Sequence, residues 1–301
     1  MKIPVEIKNR AQSIAPKAAL LAAVLIWGTS FVAGKLAYTD IGPVLLAFFR
    51  FSVAFLVLFP ALIRYRHIRS LPLIPIALIG FMGVTLFYSL QNIGLYYTSA
   101  ANTGLIQGSI PVFTLLFSVY LLGERFTWLR SLGVLLSVLG VVMIVLITGN
   151  DHGGTNPLLG NILVLLSAAA WAFYTVKSKP LLKKIPQQVL VAASMFFGLV
   201  FLLPVLIIEM SIMDYAQISL SSWAVILYLG LFASGFAFLF WNYGLKHVDA
   251  SEAGAYTNLA PVIGVVSAAF VLGEAINLIQ IGGGVLVIIG VLMVSRTVKD
   301  R

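Results

Sequence analysis

The stretch GLYYTSAANTGLIQGSIPVFTLLFSVYLLGE, residues 94–124, decides the fold because it occurs twice in the chain. Its second copy is GLKHVDASEAGAYTNLAPVIGVVSAAFVLGE, residues 244–274, at an offset of 150. The correspondence continues without a gap over residues 94–143 and 244–293, where 14 of 50 positions are identical. A repeat of this length predicts two homologous halves.

The amino-acid composition indicates the environment, water or lipid, that surrounds these halves. Of the 301 residues, 60% are hydrophobic and only 10% are charged, and the mean hydropathy is +1.04. Soluble domains carry about 25% charged residues, so the surplus apolar surface is expected to face lipid. The chain contains no cysteine, which excludes disulfides and thiolate metal ligands.

Apolar runs of about 20 residues, the length at which a helix crosses a bilayer, occur ten times. The predicted spans are residues 18–38, 43–63, 73–97, 99–122, 127–148, 158–176, 187–209, 221–245, 249–272 and 277–296. Their continuous apolar character is typical of helices and not of a membrane β-barrel. We therefore predict an all-α integral membrane protein with ten transmembrane helices, in two five-helix repeats at residues 18–148 and 158–297.

The basic residues predict the orientation of the spans. Of the 19 lysines and arginines, 17 lie at the termini or in segments on the same side as the N-terminus, while Lys35 and Arg50 lie within spans. Short cytoplasmic loops carry an excess of lysine and arginine. Both termini are therefore predicted to be cytoplasmic in a multi-pass protein of the cell membrane, and nucleic acid is not predicted as a partner.

An odd number of spans in each half predicts that the halves are inverted relative to each other. Spans 1 and 6 also match, weakly, at an offset of 144, where Trp27 aligns with Trp171 and Lys35 with Lys179. Inverted repeats allow one fold to open alternately to the two sides of the membrane, with a binding site between the repeats.

The repeated motif, LIWGTSFVAGK at residues 25–35 and LLAFFRF at residues 45–51 together resemble the EamA family of the drug/metabolite transporter superfamily. The resemblance covers almost the whole chain and occurs once in each half. It implies ten helices, a central cavity and export of amino acids or other small metabolites. Fold does not define the substrate, so a nucleotide-sugar or phosphate-ester exchanger and a non-transporting membrane scaffold stay open as alternatives.

Pro111 and Pro261 occupy equivalent positions in spans 4 and 9. A proline removes the hydrogen bond to the carbonyl four residues earlier and kinks the helix, which here predicts free carbonyls at Gln107 and Thr257. An exposed carbonyl at membrane depth is tolerated where it lines a polar cavity or is buried in protein. We predict that the two prolines are hinges of helices that line the site, although ordinary kinks satisfied by neighbouring helices remain an alternative.

Aromatic and polar side chains on predicted interior faces form the candidate substrate site, because small organic solutes bind to apolar walls with a few placed polar groups. The predicted set is Trp27, Tyr88, Asn92, Gln107, Trp171, Tyr174, Tyr256 and Thr257. This aromatic lining favours an amphipathic amino acid or an organic cation as the solute. Tryptophan and tyrosine also lie at membrane interfaces without a binding role, and Trp241 is expected close to the inner surface.

Charged residues within or beside the spans have mainly structural interpretations. An unpaired Arg50 within span 2 costs about 2.5–3.5 kcal/mol on insertion scales, and a structural or cavity-edge role is favoured over substrate contact. Asp249 and Glu252 are spaced as a capping box at the start of span 9, which is favoured over proton transport by Glu252. Glu124 is expected to brace helix ends.

Catalytic and cofactor sites are not predicted. The three histidines lie in or beside loops on different sides of the membrane, so neither a metal cluster nor an intramembrane base is expected. The repeated glycines of spans 5 and 10 permit close helix contacts, either within the chain or in a homodimer. The predicted partners are thus a small-molecule substrate and the lipid bilayer, and a homodimer stays open as an alternative.

Overall fold

The computed structural model describes residues 5–37, 41–65, 71–98, 100–125, 127–148, 156–212, 218–272 and 278–296, and all regular structure among them is helical. The elements of the first part of the chain are α1 (Val5–Ala37), α2 (Pro43–Arg64), α3 (Leu73–Gly80), π1 (Phe81–Leu86), α4 (Phe87–Tyr97), α5 (Ala100–Gln107), α6 (Ile110–Leu122) and α7 (Trp128–Thr148). Those of the second part are α8 (Pro157–Leu182), α9 (Gln187–Ile212), α10 (Leu220–Tyr228), π2 (Leu229–Phe236), α11 (Ala237–His247), α12 (Ala250–Tyr256), α13 (Leu259–Leu272) and α14 (Leu278–Arg296).

Helices suit these sequences because each backbone N–H can find a carbonyl within the same apolar segment. Five helices are long and apolar enough to cross a membrane, and shorter apolar helices accompany them. The five are Pro43–Arg64, Leu73–Leu95, Pro157–Leu182, Gln187–Ile212 and Leu220–His247. The all-helical membrane character predicted from the sequence is therefore confirmed.

Local signals account for several helix ends. Pro43 and Pro157 lie in the first turns of α2 and α8, where a missing N–H costs no hydrogen bond. The Asn156 side chain caps α8 by accepting from the Leu159 N–H. Gly123 ends α6 with φ 67°, a left-handed conformation that favours glycine.

The order of elements in the first part of the chain recurs in the second. In both parts an α-helix passes through a π-helical segment into an 11-residue helix, which is followed by a helix interrupted near its middle. Predicted spans 4 and 9 are thus each divided in two, as α5–α6 and α12–α13, and are not single kinked helices. The other main departures are that α1 begins at Val5 and that α8 continues to Leu182.

The closest helix pairing joins α7 to α14, which are equivalent in the sequence repeat. The Gly290 carbonyl occupies the space where a Cβ on Gly133 would stand, and the Gly283 carbonyl does the same at Gly140. Gly133 thus pairs with Gly290 and Gly140 with Gly283, so residue numbers rise along α7 as they fall along α14. The two helices therefore run antiparallel. These glycines face each other inside one chain, so they are not the face of a homodimer, and a second copy as partner stays a prediction.

The two parts of the chain pack against each other throughout. Helix α1 contacts α11 and α13, α2 contacts α9 and π2, and α8 contacts α4 and α6. Equivalent contacts occur at equivalent positions: Gly94 packs on the Gly160 carbonyl, and Gly244 packs on the Pro16 carbonyl. The buried core therefore lies mainly between the repeats, where the candidate site was predicted.

Candidate functional site

Three tryptophan side chains from α1, α8 and α11 meet in the interior. The Trp27 ring centre lies 5.2 Å from that of Trp171 and 5.3 Å from that of Trp241, and the last two are 5.8 Å apart. Trp171 and Trp241 are buried, whereas Trp27 is half-buried and donates from Nε1 to the Ala233 carbonyl of π2 at 2.8 Å. Aromatic pairs at these distances attract one another beyond simple burial.

Five further aromatic rings extend this group to form what we call the aromatic cluster. Phe238 packs edge-on against Trp27 and Trp171. Tyr174 and Phe87 lie 5.1 Å and 5.0 Å from Trp171. The cluster comprises Trp27, Phe51, Phe87, Tyr88, Trp171, Tyr174, Phe238 and Trp241, with Tyr88 4.8 Å from Phe51 and 4.9 Å from Phe87.

The two π-helical segments position this cluster. Segment π1 directly precedes the α4 residues Phe87 and Tyr88, and π2 directly precedes the stretch of α11 that carries Phe238 and Trp241. A π-helical turn inserts an extra residue and so rotates the side chains that follow, and such turns are frequent at functional sites. The Tyr174 ring occupies the space where a Cβ on Gly83 of π1 would stand.

Arg50 places a positive charge at the edge of the aromatic cluster. Its Nε donates to the Ser234 hydroxyl at 2.8 Å, and its Cζ lies 5.2 Å from the ring centre of Tyr88 and 5.5 Å from that of Phe51. Among the described residues, no carboxylate lies within ion-pair distance of Arg50. Ser234 therefore holds the guanidinium group, and the described surroundings of Arg50 are aromatic rings and a hydroxyl and not an acid.

Several buried polar atoms in or beside the cluster have no hydrogen-bond partner among the described residues. They include Trp241 Nε1, Asn242 Oδ1 and Gln107 Oε1. Asn242 Nδ2 donates to the Tyr174 hydroxyl at 2.9 Å, which ties α11 to α8. An unsatisfied buried polar atom costs about 1–3 kcal/mol, so these atoms are available to a polar ligand.

The structure brings four of the predicted site residues together, namely Trp27, Tyr88, Trp171 and Tyr174. Gln107 lies close by, because its Nε2 donates at 2.8 Å to the Ser167 hydroxyl, one helical turn before Trp171 on α8. Phe51, Phe87 and Phe238 were not predicted, since nothing in the sequence distinguishes them from the other phenylalanines among the 20 of this apolar chain. Trp241, for which only a position close to the inner surface was expected, is fully buried in the cluster.

The other predicted residues lie away from the cluster. Asn92 donates to the Pro43 carbonyl at the start of α2 at 3.2 Å. Thr257 Oγ1 binds the Gly254 carbonyl of its own helix at 2.6 Å. Tyr256 is buried on the side of α12 that faces Ser295 of α14. A direct role for these three residues in substrate binding therefore stays a prediction without support from their contacts.

Each proline lies just after the interruption of its helix. Pro111 is in the first turn of α6 and is buried, and Pro261 is at the equivalent place in α13. The Thr257 carbonyl is not free as predicted, because the Ala260 N–H donates to it at 3.0 Å. Asn258 donates to the Ser137 hydroxyl of α7 and so does not face the cluster. The hinge function of the prolines stays a prediction.

An ion-pair network of Glu124, Arg130, Lys179 and Asp249 joins four helices at one end of the bundle. Arg130 and Lys179 each approach both carboxylates. Glu124 accepts from the Ala250 N–H at 2.6 Å and the Ser251 N–H at 3.2 Å, and it thereby caps α12 from outside. The predicted bracing role of Glu124 is confirmed.

The predicted capping box of Asp249 and Glu252 is wrong. The Asp249 side chain makes no cap hydrogen bond to α12. Glu252 turns away from the helix start and forms an ion pair with Lys17 of α1 at 2.8 Å. Glu124 from another helix satisfies the orphan N–H groups instead, which sequence spacing along one helix cannot reveal.

Comparison with known proteins gives a consistent family assignment. A family model described as the EamA-like transporter family matches residues 17–146 and 158–296. The uncharacterized transporter YetK of Bacillus subtilis is 30% identical over 277 residues, which cover 90% of this chain and 84% of its own length. A probable terminal-alkyne amino-acid exporter of Streptantibioticus cattleyicolor is 29% identical over 287 residues, 94% of either chain. A protein of known crystal structure shares the fold, with a TM-score of 0.80, 22% identity and coverage of 95% of this chain and 99% of its own.

Proposed function

Because the chain belongs to the EamA-like transporter family, we propose that it is a secondary transporter that exports small metabolites by alternating access. The proposed substrates are amino acids with apolar or amphipathic side chains. Transport in this proposal requires neither a cofactor nor enzymatic chemistry. The amino-acid exporter among its relatives supports the substrate class by similarity only.

The proposed architecture has ten transmembrane helices in two inverted repeats at residues 18–148 and 158–297. The antiparallel packing of the equivalent helices α7 and α14 supports the inversion. Both termini are proposed to lie in the cytoplasm, which is supported by the bias of lysine and arginine toward one side. The interlocked helices between the repeats are then the elements that rearrange, with Pro111 and Pro261 as the proposed hinges.

The observation that carries the substrate proposal is Arg50 at the edge of the aromatic cluster. A guanidinium group without a described acid partner is suited to bind a carboxylate through two parallel hydrogen bonds. The rings of Trp27, Trp171 and Trp241 provide the apolar wall for a side chain. The free acceptors Gln107 Oε1 and Asn242 Oδ1 are the groups that an ammonium ion requires.

The charge of the cluster distinguishes this proposal from its rivals. An organic cation would meet repulsion from Arg50, and a phosphate ester would require more fixed positive charge than one guanidinium. A non-transporting scaffold would have no need for a cation in an aromatic interior, which costs about 2.5–3.5 kcal/mol on insertion scales. We therefore place a solute with one carboxylate and an apolar body, such as an apolar amino acid, first.

The test is uptake of labelled amino acids by liposomes that contain the purified protein. We expect phenylalanine or leucine to exchange across the membrane, and their amides, which lack the carboxylate, not to compete. Arg50→Gln should abolish exchange, whereas Arg64→Gln, an exposed arginine on the same helix, should retain it. Exchange of amides and acids alike, or unchanged exchange by the Arg50 variant, would refute the carboxylate proposal.

A further inference from the structure

Glu252 is a buried carboxylate that the proposed substrate site does not use. Its side chain is 1% exposed, Oε1 lies 2.8 Å from Lys17 Nζ, and the same oxygen accepts from the Ser295 hydroxyl at 2.6 Å. Lys17 also donates to the Ser295 carbonyl at 3.0 Å. These contacts tie α12 to both α1 and α14. The second oxygen, Oε2, is buried and has no hydrogen-bond partner among the described residues.

The sequence repeat shows that this charged contact is specific to one end of the bundle. Glu252 corresponds to Asn102 at the offset of 150, and Lys17 corresponds to Asn161 at the offset of 144. The structure supports the second offset, because Gly160 packs on Gly94 as Pro16 packs on Gly244. Asn161 accepts a neutral hydrogen bond from Thr98 at 2.7 Å. Neither Asn102 nor Asn161 carries a charge, so the Lys17–Glu252 ion pair has no charged counterpart at the equivalent positions of the repeat.

Other charged groups near the start of α12 are already paired with one another. Glu124, which follows α6, Arg130 of α7 and Lys179 of α8 surround Asp249. Helix α11 presents Lys246 and His247, which are both exposed. Tyr256, one turn further along α12, is the titratable side chain beside Glu252 on its own helix. Lys17 is therefore the described cation that compensates Glu252.

We propose that Glu252 is the proton-coupling carboxylate of the exporter, which rests on the transport function proposed above. In its charged form, the Glu252 carboxylate forms the ion pair with Lys17 and the hydrogen bond with Ser295. These contacts keep α1, α12 and α14 together and close this end of the bundle. When a proton binds at Oε2, an O–H bond forms, the charge of Glu252 is lost and the attraction to Lys17 with it. Helices α1 and α14 can then separate from α12, and the proton leaves when the carboxylate forms again and this end closes.

The direction of this coupling follows from the proposed orientation. The Lys17–Glu252 pair lies at the predicted cytoplasmic end, so the charged form favours closure toward the cytoplasm. Protonation from the acidic exterior favours opening toward the cytoplasm, where the proton is released. One proton thus enters for each substrate that leaves, and a pH gradient, acidic outside, drives export.

The experiment compares two assays on the same liposomes, substrate exchange at equal pH and substrate transport driven by a pH gradient. The probe is the labelled amino acid that the wild-type protein exchanges. Glu252→Gln, which mimics the protonated form, should lose gradient-driven transport and retain exchange. The matched control is Glu209→Gln, which changes a carboxylate that caps α2 through the Val44 and Leu45 N–H groups at the other end. This control should retain both activities.

The possible results separate the two proposals. Wild-type exchange without stimulation by the gradient, or full gradient-driven transport by Glu252→Gln, would overturn the coupling role and leave the exporter proposal intact. Equal loss of exchange and gradient-driven transport in a folded Glu252→Gln protein would assign Glu252 a structural role only. Absence of wild-type exchange for every amino acid would overturn the transport proposal itself. If Glu252→Gln does not fold, the double variant Lys17→Gln with Glu252→Gln, which leaves neither charge unpaired, is expected to show the same loss of coupling.

Discussion

The close contact of α7 and α14 predicts a large difference between two glycine-to-alanine substitutions. A methyl group on Gly140 would meet the Gly283 carbonyl and would stand 2.8 Å from Val287, both on the facing helix. Backbone atoms cannot move aside as a side chain can, so the helices would have to separate. A methyl group on Gly282, in α14, would lie 3.6 Å from the flexible end of Met143, which is ordinary van der Waals contact.

The expected magnitudes follow from two opposing terms. Alanine favours a helix over glycine by about 1 kcal/mol, whereas overpacking at a tight contact costs about 1–3 kcal/mol. The upper end applies to Gly140, because two neighbouring groups are too close. Gly140→Ala should therefore lower the free energy of unfolding by about 2 kcal/mol, and Gly282→Ala should raise it by up to about 1 kcal/mol.

Reversible unfolding in mixed detergent micelles, followed by tryptophan fluorescence, measures both variants on the same scale. The wild-type protein and the Gly282→Ala control establish the effect of helix propensity alone. If Gly140→Ala were as stable as Gly282→Ala, α7 and α14 would not be in backbone contact at Gly140, and their antiparallel packing would be refuted.

Two further predictions concern the aromatic cluster and the ion-pair network. Trp171→Ala should abolish amino-acid exchange in liposomes, because Trp171 is 3% exposed and lies among the rings of the cluster. The control Trp128→Ala changes a side chain that is 76% exposed and should retain exchange. Equal activity of the two variants would argue against the cluster as the substrate site. Glu124→Gln should lower the free energy of unfolding by about 3–5 kcal/mol, since it leaves Asp249 as the one described carboxylate for both Arg130 and Lys179. Arg125→Gln, at an exposed neighbour, should change it by less than about 0.5 kcal/mol, and a similar small change for Glu124→Gln would show that the network does not stabilise the fold.

The sequence predicted the helices well where the thickness of the lipid bilayer sets the length of an apolar helix. An apolar run must form a helix of membrane length, so the limits of α2 and α9 agree with prediction to within three residues. The start of α1 was missed because Lys17 ends the apolar run, although the helix begins at Val5. Charge reports where the apolar segment ends, and not where the helix ends.

The candidate site could be predicted only in part, because its geometry depends on local changes of helical phase. Sequence spacing assumes a regular helix, and on that assumption Thr257 was predicted to line the substrate site. The interruption between α12 and α13 alters that phase and turns Asn258 toward α7. Segments π1 and π2 have the same effect on α4 and α11, and neither carries a sequence signature of its own.

The pairing of α7 with α14 has a consequence for the order in which the protein can assemble. Helix α7 is synthesised before the middle of the chain, but its partner α14 is synthesised only after the intervening elements α8 to α13. Until α14 is inserted, the glycine face of α7 lacks the helix against which it packs. The first half is then in the bilayer without its complete helix packing. We expect quality-control proteases to act during this interval, so loss of α14 should shorten the lifetime of the chain in the cell more than an equally long deletion at its beginning.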